Sequence, residues 1–315
     1  MTELLRVNFL GIDFRNPLVL ASGILGTSPS LMERAAREGA GGITSKSAGP
    51  IPRAGHANPV CLAWGNSVIN AVGLTNPGCA EELPLLIETK KRLRALDVPL
   101  IASLFAGRAQ EFGEVAKVIA QAEPDLIEVN ISCPNVASDF GTPFSASAGT
   151  AAEVTRQVRA AVNLPISVKL APNVPDIGRI AQAVAAEGAD AITAINTVPA
   201  MLIDADAGKP VLKNKTGGLS GAAIKPVALR AVWEIAQMVE IPIIGTGGIA
   251  SGLDAAEMIM AGASLVGVGS AVALEGAGAF ARIAAELEEF MLARGYASPE
   301  AMRGLALPGK EAKNG

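Results

Sequence analysis

Histidine is nearly absent: His56 is the only one in 315 residues. Zinc sites built from several histidines, H-E-x-x-H chemistry and triads relying on a second histidine are thereby excluded together. Cysteine is scarce too, and Cys61, Cys79 and Cys133 are odd in number and widely spaced. That pattern excludes a disulfide scaffold, and the lack of any C-x-x-C pair excludes zinc and iron–sulfur binding by this chain. Aromatic residues make up 3% and charged residues 18%. With 26 Lys and Arg against 30 Asp and Glu, the net charge of −4 offers no basic footprint for nucleic acid or an anionic membrane. Long apolar runs are missing as well. The uncharged stretches 16–32 and 258–274 are interrupted by Gly and Ser, and fall short of the ~20 apolar residues a spanning helix needs. The first ten residues carry Glu3 and Arg6 and no signal-peptide core. A soluble, cytoplasmic chain with reduced thiols is the expectation, bound neither to membrane nor to nucleic acid.

What remains is abundant. Half of the chain is hydrophobic, nearly all of it Ala, Val, Ile and Leu, which suits a large layered interior and rules out disorder. Short apolar runs recur at 17–22, 42–47, 99–104, 125–131, 165–170, 189–196, 241–245 and 264–269. Most are continuous rather than alternating, as in strands covered on both faces of a parallel sheet. Between and after them, 31–38, 81–96, 111–122, 151–162, 177–187, 226–239, 253–260 and 279–294 carry helical periodicity. Eight strand–helix units predict an α/β fold, a (β/α)8 TIM barrel, which typically takes ~250 residues. The alternative is an open doubly wound sheet, disfavoured by the regular alternation and by the lack of G-x-G-x-x-G after the first strand. Residues 48–79 after strand two and 197–223 after strand six are too long for plain connections. Both should lie over the C-terminal face, where barrel sites are built. No linker divides the chain, so residues 1–315 read as one domain, with a solvated tail from residue 307.

The strand ends are polar where stability needs nothing polar. Ser45-Lys46-Ser47 follows strand two, Asn130-Ile131-Ser132-Cys133-Pro134-Asn135 follows strand four, strand five carries Lys169, and Asn196-Thr197 follows strand six. Two lysines and several amides converging on one rim describe a site for a polar, anionic ligand. Gly247-Gly248 and Gly269-Ser270 end strands seven and eight, where barrels commonly bind phosphate on exposed backbone N–H groups. The plain alternative is that these glycines only turn the chain. Cys133 has two readings, a buried thiol packing as a small hydrophobe or a proton acceptor whose pKa a nearby cation lowers. Cys61 and Cys79 read as structural or incidental, His56 as a loop or surface residue, and Trp64, Trp233 and Tyr296 as packing residues, with a place near the site as the alternative for Trp64 because of its loop.

The segments Ser45-Lys46-Ser47, Asn70-Ala71-Val72-Gly73-Leu74, Asn130 to Asn135, Val168-Lys169-Leu170 and Ile195-Asn196-Thr197 resemble, in order and spacing, those of class 1 dihydroorotate dehydrogenases. Asn214 to Gly221 and Ile243 to Gly248 extend the resemblance, which runs from about residue 5 to 295. Class 2 members carry serine as the base, so Cys133 points to class 1. The stretch from Lys215 to Pro226 most resembles the catalytic subunit of the NAD-linked, two-subunit type.

That resemblance implies FMN across the barrel mouth. Its phosphate would meet Gly221, Gly247, Gly248, Gly269 and Ser270. Ala21, Ser22, Lys46, Ser47, Asn130, Lys169 and Ile195 would line its ribityl chain and ring, with Lys169 at the N1/O2 edge. Ser103 occupies a flavin-contact position where the NAD-linked type commonly carries asparagine, and its shorter hydroxyl would reach the ring through water. Dihydroorotate would be held by Lys46, Asn70, Ala71, Val72, Gly73 and Leu74, with Asn130, Asn135, Asn196 and Thr197 completing the amide contacts. Cys133 would remove the C5 proton while hydride passes from C6 to flavin N5, giving orotate for UMP synthesis; no metal is implied. Two other readings stand beside it: an FMN barrel acting on dihydrouracil or dihydrothymine, and a non-redox phosphate-binding barrel. The acceptor stays open between NAD, reached through a partner subunit with FAD and an iron–sulfur cluster in a heterotetramer built on a homodimer core, and fumarate used directly by a homodimer.

Overall fold

A computed structural model of the chain describes residues 3–132 and 144–309. Cys133 and Asn135 therefore lie outside the described residues. Eight parallel strands close into a barrel: β1 (Leu18–Leu20), β2 (Gly42–Thr44), β3 (Leu100–Leu104), β4 (Leu126–Asn130), β5 (Ile166–Leu170), β6 (Ala191–Ala194), β7 (Ile243–Thr246) and β8 (Leu265–Val268). Each lies beside its neighbour in sequence, and β8 pairs with β1 to close the ring. The predicted apolar runs all fall on these strands, and the open-sheet alternative is excluded by the closure.

Helices α1 (Pro29–Arg37), α2 (Cys79–Arg94), α3 (Ala109–Ile119), α4 (Ala148–Ala161), α5 (Ile177–Ala186), α6 (Lys225–Ala236), α7 (Gly252–Met260) and α8 (Ala279–Arg294) accompany the strands. Four begin at a side chain that accepts from the first turn: Ser28 from Leu31 N, Ser147 from Thr150 N, Asp176 from Arg179 N and Ser251 from Asp254 N. Each cap satisfies a backbone donor that the helix itself cannot. Among the described residues, no helix is long and apolar enough to cross a membrane.

Strand alternation divides the interior into two cores. Ile127 and Val129 of β4, Leu100, Ala102 and Leu104 of β3, and Ile166, Val168 and Leu170 of β5 belong to the large core shared with the helices. Their neighbours Ile101 and Leu126 belong to a second core with Val19, Ala191, Ile244 and Leu265. An antiparallel hairpin, Val7–Phe9 with Ile12–Phe14, contributes Val7, Phe9 and Phe14 to this second core. The strands are thus not uniformly apolar: one side stays apolar, while the other passes from Leu126 to Glu128 and Asn130, all buried.

The two long connections build one further sheet. Cys61–Trp64 pairs with Ser67–Asn70, which pairs with Gly217–Gly221, which pairs with Val198–Ala200, all antiparallel. Strands from after β2 and after β6 are joined edge to edge, with Asn70 opposite Gly218. Cys61–Trp64 is an edge strand exposed along its whole length, and Trp64, at 52% exposure, is not a packing residue. Trp233 and Tyr296 do pack: the Trp233 indole donates to Ala306 O at 2.9 Å, and Tyr296 stacks on Phe290.

Phe14 is fully buried, edge-on to Phe9 at 6.1 Å between centroids, and stands where a Cβ on Gly42 would lie 2.5 Å from its ring. Phe14→Ala should lower stability by about 3–5 kcal/mol, read as a shift of the urea unfolding midpoint. The arrangement of the strand ends at the opposite, C-terminal mouth of the barrel should be unchanged.

Candidate active site

A cavity of about 270 Å³ opens at the C-terminal ends of the strands. Seven of the eight strands contribute at or just beyond their ends: Ala21 and Ser22, Lys46 and Ser47, Asn130, Lys169, Ile195 and Asn196, Thr246 to Gly248, and Gly267, Gly269 and Ser270. The loop sheet and its turns add Asn70, Val72, Gly73, Leu74, Thr197, Ser220 and Gly221. Of the described residues that the resemblance assigns to cofactor or substrate, all but Ala71 and Ser103 line this cavity. Ala71 is fully buried in a small cluster with Ile69 and Leu212. Ser103, on the one strand without a lining residue, is fully buried with its hydroxyl engaged by Ser47 and Glu128. It is a residue of the floor's underside and not of the lining.

The floor is a buried charge pair. Lys169 Nζ lies 3.6 Å from Glu128 Oε1, and both side chains are less than a tenth exposed. Burying either charge alone would cost several kcal/mol, so the carboxylate is what allows an ammonium group to sit here. Nothing in the sequence marks Glu128 as a site residue, because the run Asp125 to Ile131 reads as one buried strand.

One side of the cavity is built for an oxyanion. Gly247 and Gly248 take φ of 137° and 78°, a region that other residues avoid. A Cβ on Gly248 would collide with the backbone and Cβ of Lys225 at the start of α6, so this turn and helix approach as closely as glycine permits. Ser270 Oγ donates to Ser220 Oγ at 3.0 Å, bringing a hydroxyl from each side of Gly221 and Gly269. Lys225 supplies no charge to this cradle, since its ammonium is held by Asp254 at 2.6 Å and Glu257 at 2.7 Å. A glycine turn with paired hydroxyls at one end, and the Lys169 ammonium at the floor, fit a ligand carrying a phosphate and an electron-accepting ring. Ile24, Ile224 and Ile249 add apolar wall that the sequence did not separate from core.

Residues 70–74 are held in place from behind. Ala71 O accepts from His56 Nδ1 (3.1 Å), Val72 O from His56 N (3.0 Å), Gly73 O from Arg53 Nε (2.8 Å) and Leu74 O from Asn76 Nδ2 (2.8 Å). Asn76 also accepts from Gly49 N and Gly78 N, tying this segment to the exit of β2 and to the start of α2. His56 is thus a loop-packing residue, as its surroundings in sequence suggested. Cys61 is opposite Asn70 in the loop sheet and lines the cavity, whereas Cys79 is buried at the first turn of α2.

Behind Lys46 stands a second buried acid. Glu82, 3% exposed on the first turn of α2, has an Oε1 with no hydrogen-bond partner. Burial pushes its carboxyl up to about 7, against the pull of the Lys46 charge. Nothing in the sequence marked it, because a Glu in a first helical turn ordinarily faces water and favours the helix dipole.

Comparison with known proteins agrees with this geometry. The profile described as dihydroorotate dehydrogenase matches residues 4–291. A Methanosarcina mazei protein named dihydroorotate dehydrogenase B (NAD(+)), catalytic subunit, is 45% identical over 300 residues, covering 94% of this chain and 93% of its own. Proteins of the same name from Methanocaldococcus jannaschii and Pyrococcus abyssi are 44% and 42% identical, covering 91% and 96% of this chain and 94% and 99% of their own. With near full-length relatives above 40% identity and a cavity at the strand ends, the chain belongs to the dihydroorotate dehydrogenase family.

Proposed function

We propose that this chain, acting as one FMN-binding barrel domain, oxidises dihydroorotate to orotate in de novo pyrimidine synthesis as the catalytic subunit of an NAD-linked enzyme. The observation that carries this reading is a single cavity that combines a glycine and hydroxyl cradle with two lysines and paired amides, in a chain with full-length relatives of that name. The relatives' designation as a catalytic subunit supports a second subunit that passes electrons to NAD, carrying FAD and an iron–sulfur cluster that this chain has no cysteine pattern to hold. A homodimer of this chain would form the core of that assembly.

Ser220, Gly221, Gly247, Gly248, Gly269 and Ser270 would hold the FMN phosphate. Ala21, Ser22, Ser47, Asn130 and Ile195 would flank its ribityl chain and ring, and Lys169 would face the ring edge where negative charge develops. When bound, FMN supplies the two-electron oxidant that receives the hydrogen leaving C6 with its electron pair. Lys46 and residues 70–74 would grip the substrate carboxylate and adjoining ring edge. Asn130, Asn196 and Thr197, with Asn135, would bind its amide groups and orient C5 toward Cys133. As a thiolate, Cys133 accepts the C5 proton, which is acidic because it lies next to a carbonyl, and becomes a neutral thiol.

The visible spectrum of purified protein tests the redox reading, since a preparation without flavin absorbance would sink it. Anaerobic bleaching by dihydroorotate, but not by dihydrouracil, tests the substrate: Lys46 has a carboxylate to pair with in only the first. Co-purification of a cysteine-rich second subunit tests the route to NAD.

Cys133→Ala should keep its FMN and lose about 10²–10⁴-fold in flavin reduction by dihydroorotate, the contribution of a placed general base. Near-normal reduction in that variant would assign the base elsewhere. Glu82 adds a pH dependence. Below about 7 its carboxyl is neutral and adds no charge opposing an anion beside Lys46; above it, the carboxylate offsets part of the Lys46 charge. Orotate, which carries no reacting proton, should bind more weakly as pH rises between about 6 and 8, and Glu82→Gln should flatten the curve. Isothermal calorimetry on the FMN-loaded protein reads this directly.

A further inference from the structure

The cavity-lining segment 72–74 is backed by a strap, residues 53–56, on its other side. Arg53 N donates to Asn76 O at 2.9 Å and Asn76 N to Arg53 O at 3.0 Å, an antiparallel bridge that sets the strap alongside the segment. Four successive carbonyls are taken from this side. Ala71 O accepts from His56 Nδ1 (3.1 Å), Val72 O from His56 N (3.0 Å), Gly73 O from Arg53 Nε (2.8 Å) and Leu74 O from Asn76 Nδ2 (2.8 Å). Val72, Gly73 and Leu74 line the cavity, whereas Arg53, His56 and Asn76 do not. The contact is close, since a Cβ on Gly73 would lie 2.8 Å from the His56 ring. Gly73 and Leu74 take φ of 77° and 57°. Leucine rarely enters that region, and the hydrogen bonds from outside the turn hold it there.

A planar trans peptide sets its N–H opposite its C=O. Drawing the carbonyls of residues 71–73 toward the strap therefore turns the N–H groups of Val72, Gly73 and Leu74 to the opposite side, where the cavity lies. Among the described residues these three N–H groups have no hydrogen-bond partner. Successive backbone donors in such a turn make a concave site for an anion, and Lys46 lines the same cavity. Each donor behind the segment also polarises the peptide it binds, which strengthens the N–H at that peptide's other end. Arg53 contributes most in this way, because its guanidinium is charged and its hydrogen bond to Gly73 O is charge-assisted.

We propose that Arg53 and His56 are positioning residues of the substrate site, holding the carbonyls of residues 71–73 away from the cavity so that the segment offers a substrate carboxylate donors only. The proposal rests on the dihydroorotate reading above. A backbone carbonyl turned into the cavity would face the carboxylate as acceptor against acceptor, with neither group paired. The strap thus excludes the wrong face of the peptides as well as presenting the right one. Arg53 and His56 touch no substrate, and they act through the backbone between them and the cavity.

Isothermal calorimetry of orotate with the FMN-loaded protein is the test. Arg53→Ala and His56→Ala should each raise the orotate dissociation constant about tenfold, as for loss of a hydrogen bond that serves a charged group. His56→Asn should return it to within about twofold of wild type, because an Asn Nδ2 is bonded to Cγ as the His Nδ1 is and donates in its place. FMN content should stay at the wild-type level in all three. An orotate constant within about twofold of wild type in either alanine variant that folds would overturn the proposal. So would His56→Asn binding orotate as weakly as His56→Ala, since the effect would then belong to packing and not to the hydrogen bond. A loss of FMN matching the loss of orotate would overturn it as well. If Arg53→Ala does not fold, the two His56 variants decide alone. Failure of wild-type, FMN-loaded protein to bind orotate would instead sink the dihydroorotate reading, and the two failures are separately visible.

Discussion

An ammonium group and a carboxylate are buried together inside a parallel barrel, and the arrangement of the rim follows from the need to keep them paired. Lys169 and Glu128 stand on adjacent strands, β5 and β4. Neither tolerates loss of the other in so dry a place. The pair occupies the level at which the inward side of the strands changes from the apolar plug of Leu126, Ile101 and the N-terminal hairpin to the polar mouth. Below it the barrel is an ordinary hydrophobic core. Above it lie the hydroxyls of Ser47 and Ser132 and the amides of Asn130 and Asn196, joined to one another by hydrogen bonds. On the proposed mechanism, a positive group at the base of the cavity stabilises negative charge that the reaction delivers to that place.

The second constraint is topological. A barrel gives eight short strand ends and little else, and a substrate with a carboxylate, two carbonyls and two N–H groups needs more contacts than those ends supply. The connections after β2 and β6 meet this need by pairing with each other. Asn70, in one, faces Gly218, in the other, and its side chain donates to Gly218 O at 3.4 Å. The turn that follows carries Val72, Gly73 and Leu74 to the cavity, with its carbonyls anchored by His56, Arg53 and Asn76. Such a sheet is fixed by its own ladder of hydrogen bonds without being part of the barrel, so contacts built on it leave the barrel core untouched.

Legibility in the sequence followed physical range. The barrel strands were readable because strands packed under helices are apolar on that side whatever happens on the other, and the helices because their periodicity is local. The cavity residues were readable where they end strands, as at Lys46, Asn130, Asn196 and Ser270. Pairing between residues 67–70 and 217–221 was not readable, since nothing local announces a contact across about 150 positions. The strand reading also hid Glu128. A continuous apolar run was taken to be covered on both faces, when its alternate residues Leu126, Glu128 and Asn130 climb from the plug through the ion pair to the mouth. Ser103 was placed against the flavin by resemblance, and its engagement with Glu128 and Ser47 puts it beneath the lining. Trp64, which reads as a packing residue, stands exposed on an edge strand and does not pack.

The scarcity of histidine and cysteine belongs to the same economy. A histidine near the substrate would bring a second group that titrates near neutral pH into a site where Glu82 already does so beside Lys46. On the proposed mechanism, proton removal falls to a thiol, which changes charge without needing a fixed partner on its far side. The amides, held by the backbone of Ser132 and Thr197, change charge not at all. With one residue moving a proton and the rest holding still, the reaction's charge is confined to three places: the base, the flavin edge at Lys169 and the carboxylate at Lys46. On the same mechanism electrons leave toward whatever meets the flavin from outside, since among the described residues the barrel below the Lys169–Glu128 pair is an apolar plug.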